Sequence, residues 1–154
     1  MYLLGIDAGS TVTKVALFDK AGHEMQVASR RIEPIHPQSG WVVRDMYDVW
    51  HQTCEAIREV LERSKVDSAQ IAAIGCTGHG NGAYLLAKSG KPLGNAIHAI
   101  DMRGASILEN WSANGTLDKA RQYTHQQAYA GQTATVLSWI KQFQPELFSA
   151  IDTV

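Results

Sequence analysis

Cysteine is scarce in this chain. There are two, Cys54 and Cys76, far apart and without metal-site spacing. That excludes a disulfide framework and suits a reducing compartment. An excess of either charge is also lacking: 14 Lys and Arg stand against 15 Asp and Glu, a formal net charge of −1. The basic residues are scattered, so the electrostatic footprint of a nucleic-acid or anionic-membrane partner is missing. No apolar run nears the roughly 18 residues that span a bilayer. No basic segment followed by an apolar run opens the chain. The expectation is a cytoplasmic protein without nucleic-acid or membrane partners. No repeat, low-complexity tract or linker interrupts the 154 residues, and 45% apolar residues suit one domain with a real core.

Several motifs are missing as well. No Gly-Lys-Ser/Thr leads into a helix, so there is no Walker A loop. No Gly-x-Ser-x-Gly is present, which excludes a hydrolase elbow. His36, His51, His98 and His125 lack the paired spacing of a metal site. Cys76 stands in an apolar run and reads as inert core rather than as a nucleophile.

What is present begins at once. The apolar run Tyr2 to Ile6 ends on Asp7, and a small-residue turn with hydroxyls follows. Val15 to Phe18 leads away as a second β-rich run. The pattern predicts a strand, a tight hairpin and a second strand, with Asp7 at the mouth. Gly9 lets backbone N–H groups approach an anion, and Ser10, Thr11 and Thr13 carry further donors. Lys14 supplies a point charge, and Asp7 can hold Mg²⁺ through water. On these residues alone, an ordinary hairpin with a polar tip is an equal reading.

A turn at Asp19 to His23 and a partly alternating run from His23 to Ile35 predict a third antiparallel strand. Pro37 makes the next stretch a loop. Val49, Trp50, Thr53, Ile57, Val60 and Leu61 recur at helical spacing over about residues 46 to 64. Ile71 to Thr77 reads as a buried strand parallel to the first. Ala83 to Ala87 and Leu93 to Ile100 suggest a small hairpin. Helices are expected from Met102 to Trp111, from a Thr116 cap toward Tyr123, and from Thr133 or Thr135 to Phe143.

Two further constellations carry polar chemistry. Gly78-His79-Gly80-Asn81-Gly82 ends the buried strand, with glycines that bring backbone close to something. Its spacing is not that of a dinucleotide fingerprint, and a plain glycine-rich turn is the bland reading. Asp101-Met102-Arg103 places an acceptor and a donor two residues apart, suited to a polyol or, more blandly, to a helix cap with a nearby charge.

Asp7-Ala8-Gly9-Ser10-Thr11-Val12-Thr13-Lys14 resembles the first phosphate loop of the actin, Hsp70 and sugar-kinase superfamily. The Gly78 to Gly82 segment, Asp101-x-Arg103, the Gly40-Trp41 pattern with Arg44, and Trp139 to Pro145 resemble its FGGY carbohydrate kinase branch, and within it the L-xylulose and other pentulose kinases. The resemblance implies an α/β, ribonuclease-H-like (actin-like ATPase) fold: a mixed sheet with N-terminal antiparallel strands and flanking helices. It implies ATP and Mg²⁺ as cofactors, held by Asp7, Gly9, Ser10, Thr11, Thr13 and Lys14, with Asp7 on the metal. It implies a sugar, such as a ketopentose, held by His79, Gly80, Asn81, Asp101 and Arg103. Two departures stand out. Asn81 sits where many pentulose kinases carry His, and Ala99 and Ile100 replace the usual aromatic and polar pair. Family chains are several times longer, so residues 1–154 correspond to a truncated N-terminal domain. The catalytic base is expected beyond Val154, so no catalytic residue is assigned within the chain. The expectation is a fragment inactive alone and prone to self-association. The rival readings are a non-catalytic actin-like or sugar-binding module, and an acetate-kinase-like or N-acetylhexosamine kinase.

Overall fold

Strand β1 (Tyr2–Ala8) turns through Gly9, Ser10 and Thr11 into β2 (Val12–Asp19), and β2 turns at Asp19 into β3 (Glu24–Arg31). The computed structural model describes all residues, 1–154. The two turns pair the strands antiparallel, with Asp7 opposite Lys14, Ala8 opposite Thr13 and Val15 opposite Ala28. Next come a two-residue strand β4 (Val43–Arg44), helix α1 (Met46–Ser64), a short 3₁₀ turn and β5 (Ile71–Gly78). Strand β5 runs parallel to β1, giving a four-stranded mixed sheet in the order β3-β2-β1-β5. Short β6 (Ala96–Ile97) pairs with β4. Helices α2 (Ala105–Ala113), α3 (Thr116–Thr124), α4 (Thr133–Phe143) and α5 (Pro145–Ala150) complete the chain. No helix is long and apolar enough to cross a membrane.

The chain divides into two compact units, residues 1–34 with 47–79, and residues 35–46 with 80–154. In the first unit, alternation puts Leu4, Val15, Leu17 and Ala28 on one sheet face, against Ala56 and Val60 of α1. Full burial of a side chain such as Leu17 stabilises by about 1.5–3 kcal/mol. Arg30 of β3 pairs with Glu59 of α1, which also meets Arg63 one turn on. The buried line on α1 runs through Thr53, Ala56 and Val60. Trp50, expected on that line, is 69% exposed. It lies about 100° around the helix from Val49, outside the stripe that meets the sheet.

The meander, the long helix and the parallel fifth strand follow the sequence pattern. The burial of β5 does not: seven of its eight residues are exposed. An apolar run predicts cover on both faces and both sides, but β5 forms the edge of this sheet, with β1 as its sole neighbour. Cys76 is accordingly exposed rather than core.

In the second unit, Val43, Ala83, Leu85, Ile97, Val136 and Ile140 form the core. The hairpin expected over residues 83–100 exists as single bridges, Ala83 to Ile97 and Leu86 to Pro92, around the two-residue β6. Gly115, at φ +76°, takes the cap position before α3, and Thr116 is the first helical residue. Leu86 also bridges Thr153, which ties the end of the chain to this unit.

Candidate functional site

The first unit gathers polar groups at the carboxyl ends of the parallel pair β1 and β5. Ligands of α/β sheets bind at such strand ends. Asp7 is exposed, in register with Thr77 on β5 and with Lys14 on β2. Alternation turns Asp7 and Lys14 away from the α1 face. They border a groove of about 420 Å³ floored by Gly5, Ala16, Phe18 and Gly75. His79 follows β5 directly, and its backbone N–H donates to Ala8 O at 3.3 Å. The turn depends on glycine, because a Cβ at Gly9 would stand 2.7 Å from Val12 O. Ile32 N donates to Thr11 O at 2.9 Å, so the turn is held by β3 as well.

Thr13 behaves differently from its neighbours. It is fully buried, with Oγ1 3.3 Å from Asp7 O and 3.4 Å from Thr53 Oγ1 of α1. Thr53 in turn donates to Val49 O. The Thr13 hydroxyl thus fastens the hairpin to the helix, leaving Ser10 and Thr11 as the hydroxyls of the turn itself. Its place in the alternation with Val15 and Leu17 was the available signal.

In the second unit, Asn81 adopts φ +69°, the left-handed region, and Gly80 stands in open space. Gly82 N donates to Gly131 O at 3.1 Å, and Thr133 Oγ1 donates to Gly82 O at 2.7 Å. The Asp101 carboxylate is completely buried and accepts four N–H bonds. Arg103 N and Nε donate to Oδ1 at 2.9 and 2.8 Å, while Val42 N and Arg103 Nη2 donate to Oδ2 at 2.7 and 2.9 Å. A carboxylate offers about four acceptor positions, so this one is filled from within the chain. The Arg103 guanidinium lies 3.9 Å over the Trp41 ring and 5.4 Å from that of Trp139. Its Nη1 makes no bond to Asp101.

Beside this knot lies a cavity of about 650 Å³, lined by Ile100, Asp101, Met102, Leu108, Glu109 and Tyr129 among others. Ile100 and Met102 are 64% and 56% exposed. Tyr129, Met102 and Glu109 were not singled out from sequence. Their signal was faint: Met102 sits inside the Asp-x-Arg motif, but Tyr129 belongs to a loop whose path Gly131 determines. A Cβ at Gly131 would fall 1.9 Å from Ala99 O. Thr135 Oγ1, fully buried, lies 2.7–2.9 Å from the carbonyls of Tyr129, Ala130 and Gln132 and pins the same loop to α4.

Residues 2–154 match the model of the N-terminal domain of the FGGY family of carbohydrate kinases. The chain belongs to that family. Its relatives include a probable L-xylulose kinase of Pasteurella multocida, 35% identical over 99% of this chain and 32% of that protein. Another is the L-xylulose/3-keto-L-gulonate kinase of Escherichia coli, 37% identical over 99% of this chain and 31% of that one. Among solved structures, a ligand-bound xylulose kinase from Lactobacillus acidophilus superposes with a TM-score of 0.89 at 25% identity, over 97% of this chain and 30% of that one. The fold is therefore the actin-like ATPase fold expected from the resemblance. The chain spans about a third of the length of the curated relatives it matches.

No group of three or more His, Cys, Asp and Glu side chains comes together to hold a metal. The hairpin nevertheless fits a hydrated Mg²⁺ with phosphate. Mg²⁺ keeps several waters and binds through one or two carboxylates and phosphate oxygens. The exposed Asp7 carboxylate could meet the hydrated ion, while the Lys14 ammonium across the ladder and the glycine turn suit the phosphate.

Proposed function

We propose that the protein is a cytoplasmic kinase that transfers a phosphoryl group from ATP to a hydroxyl of a ketopentose such as xylulose, or of a related sugar. The observation that carries the reading is Asp7: an exposed carboxylate at the carboxyl end of a parallel strand, beside a turn that only glycine allows. In this reading Gly9, Ser10 and Thr11 face the nucleotide phosphates, and Lys14 offsets their charge. Thr13 holds the hairpin in place from behind. Bound Mg²⁺, reached from Asp7 through water, would neutralise charge on the phosphates.

His79, Gly80, Asn81 and Arg103 make up the sugar side. Asp101 acts through Arg103, by fixing its guanidinium against Trp41. The substrate class rests on the L-xylulose kinases at 35–37% identity. Residues 1–154 alone bind without turnover in this reading, since none of the groups brought together here is placed as a base. The exposed edge of β5 has no charged residue and pairs with a second copy when these residues stand alone.

The deciding experiment is Asp7→Asn in the full-length protein. Turnover of L-xylulose with Mg·ATP should fall by about 100-fold or more, as for loss of a group that stabilises transition-state charge. Activity near that of the unmodified enzyme would refute the assignment. So would robust sugar-dependent ADP release by residues 1–154.

A further inference from the structure

A second concavity in the same unit, about 400 Å³ in volume, lies where α2 and α3 meet residues 126–134. Its apolar wall includes Trp111 and Leu117, and its polar rim carries Asp118, Arg121, Gln127 and Gln132. None of these four side chains has a hydrogen-bond or ion-pair partner within the protein. This contrasts with Asp101 and Arg103, whose groups meet one another. The cavity shares Ala128 with the one beside Asp101, but otherwise the linings are separate.

We propose that this concavity is a binding site for a neutral polyhydroxy compound, a monosaccharide or polyol, distinct from the sugar site of the transfer reaction. The charges on the rim cancel, one carboxylate against one guanidinium, so an anion gains no net attraction. Carboxylate and guanidinium supply acceptor-only and donor-only groups, and each Gln amide supplies both. Hydroxyl groups, which donate and accept, satisfy such a mixture better than a phosphate or an ammonium. The Trp111 wall receives the C–H face of a sugar ring, as an aromatic side chain does for other apolar surfaces. The volume lies in the range of roughly 300–1,000 Å³ usual for small-molecule sites. The proposal does not depend on the kinase reading.

The test is a titration of the isotope-labelled chain with xylitol, followed by the resonances of the Trp111 indole N–H and the Gln127 and Gln132 side-chain amides. All three should shift together and saturate. Arg121→Ala and Asp118→Asn should each weaken xylitol binding by about tenfold, equivalent to one hydrogen bond to a charged group. The far-UV spectrum should be unchanged, because both positions are exposed. Shifts that never saturate, or that survive both substitutions, would overturn the proposal. So would saturation by inorganic phosphate in place of xylitol. Shifts confined to Tyr129 and Ile100 would also overturn it while leaving the kinase reading intact.

Discussion

The end of β1 in the first unit and the turn that follows β6 in the second each carry an aspartate, and they treat it in opposite ways. Asp7 is open to solvent, with Lys14 across the ladder and no ion pair between them. Asp101 is fully buried and accepts four N–H bonds, three of them from Arg103. The first arrangement leaves charge available to a ligand. The second uses charge to hold backbone, because Val42 lies 59 residues from Asp101 and meets it only through the fold. A motif of acidic residues therefore reads differently once the partners are known. In the proposed function the exposed group is the one that meets a ligand, and the saturated group positions others.

The largest expected effect on this contrast comes from Asp101→Ala. Removing one member of a buried ion pair costs about 3–5 kcal/mol, because the other is left unpaired. Asp7→Ala should change stability by no more than about 0.5 kcal/mol, as for an exposed side chain. Urea unfolding of the two variants measures both, and equal losses would break the contrast. The glycines sharpen it. Gly131→Ala meets Ala99 O at 1.9 Å and Gly9→Ala meets Val12 O at 2.7 Å, both backbone atoms. Each should lower stability by at least about 1 kcal/mol. The loss should be greater at Gly131, which is buried and where the contact is the closer of the two, and thermal unfolding would give the ranking.

Much of the first unit was legible in the sequence. Turns at Gly9 and Gly22, alternation in β2 and the 3.6-residue period of α1 are local signals, and the elements follow them. Burial of β5 was not legible, since its composition records both faces without saying what lies beside it. The roles of Thr13 and Asp101 were half legible. Alternation placed Thr13 with Val15 and Leu17, whereas nothing near Asp101 announced Val42. The loop at residues 129–132 was the least legible part, because its path depends on contacts to Ala99 and to the hydroxyl of Thr135.

The two edges of the sheet give a smaller, sharper version of the same contrast. Strand β3 ends on Arg30 and Arg31 and begins with Glu24, charges that discourage pairing with another chain. Strand β5 has none. Ile74→Lys should therefore raise the monomer fraction of residues 1–154 in sedimentation, while Val27→Lys on β3 should leave it unchanged. An equal response at both edges would remove β5 as the contact.

The smallest effect is expected at the β2–β3 turn. The Asp19 carboxyl sits below the usual carboxylate range, because the backbone N–H of His23, then its ring, and the N–H of Ala21 stabilise the charged form. A depressed folded-state pKa contributes stability above the unfolded value and loses it as pH falls through the folded one. Asp19→Asn should thus lower the melting temperature slightly at neutral pH, and the difference from the unmodified chain should vanish in acid. A difference that persists at low pH would assign the effect to something other than ionisation.

The stack of Trp41, Arg103 and Trp139 also has an optical consequence. The two indole rings meet edge to face with centroids 5.3 Å apart, close enough for their transitions to couple into a paired circular-dichroism band. Trp50, largely solvated, emits at the red end of tryptophan fluorescence. Melting of the Asp101 turn can therefore be followed by the exciton signal of one unit, while the emission of the other reports on α1.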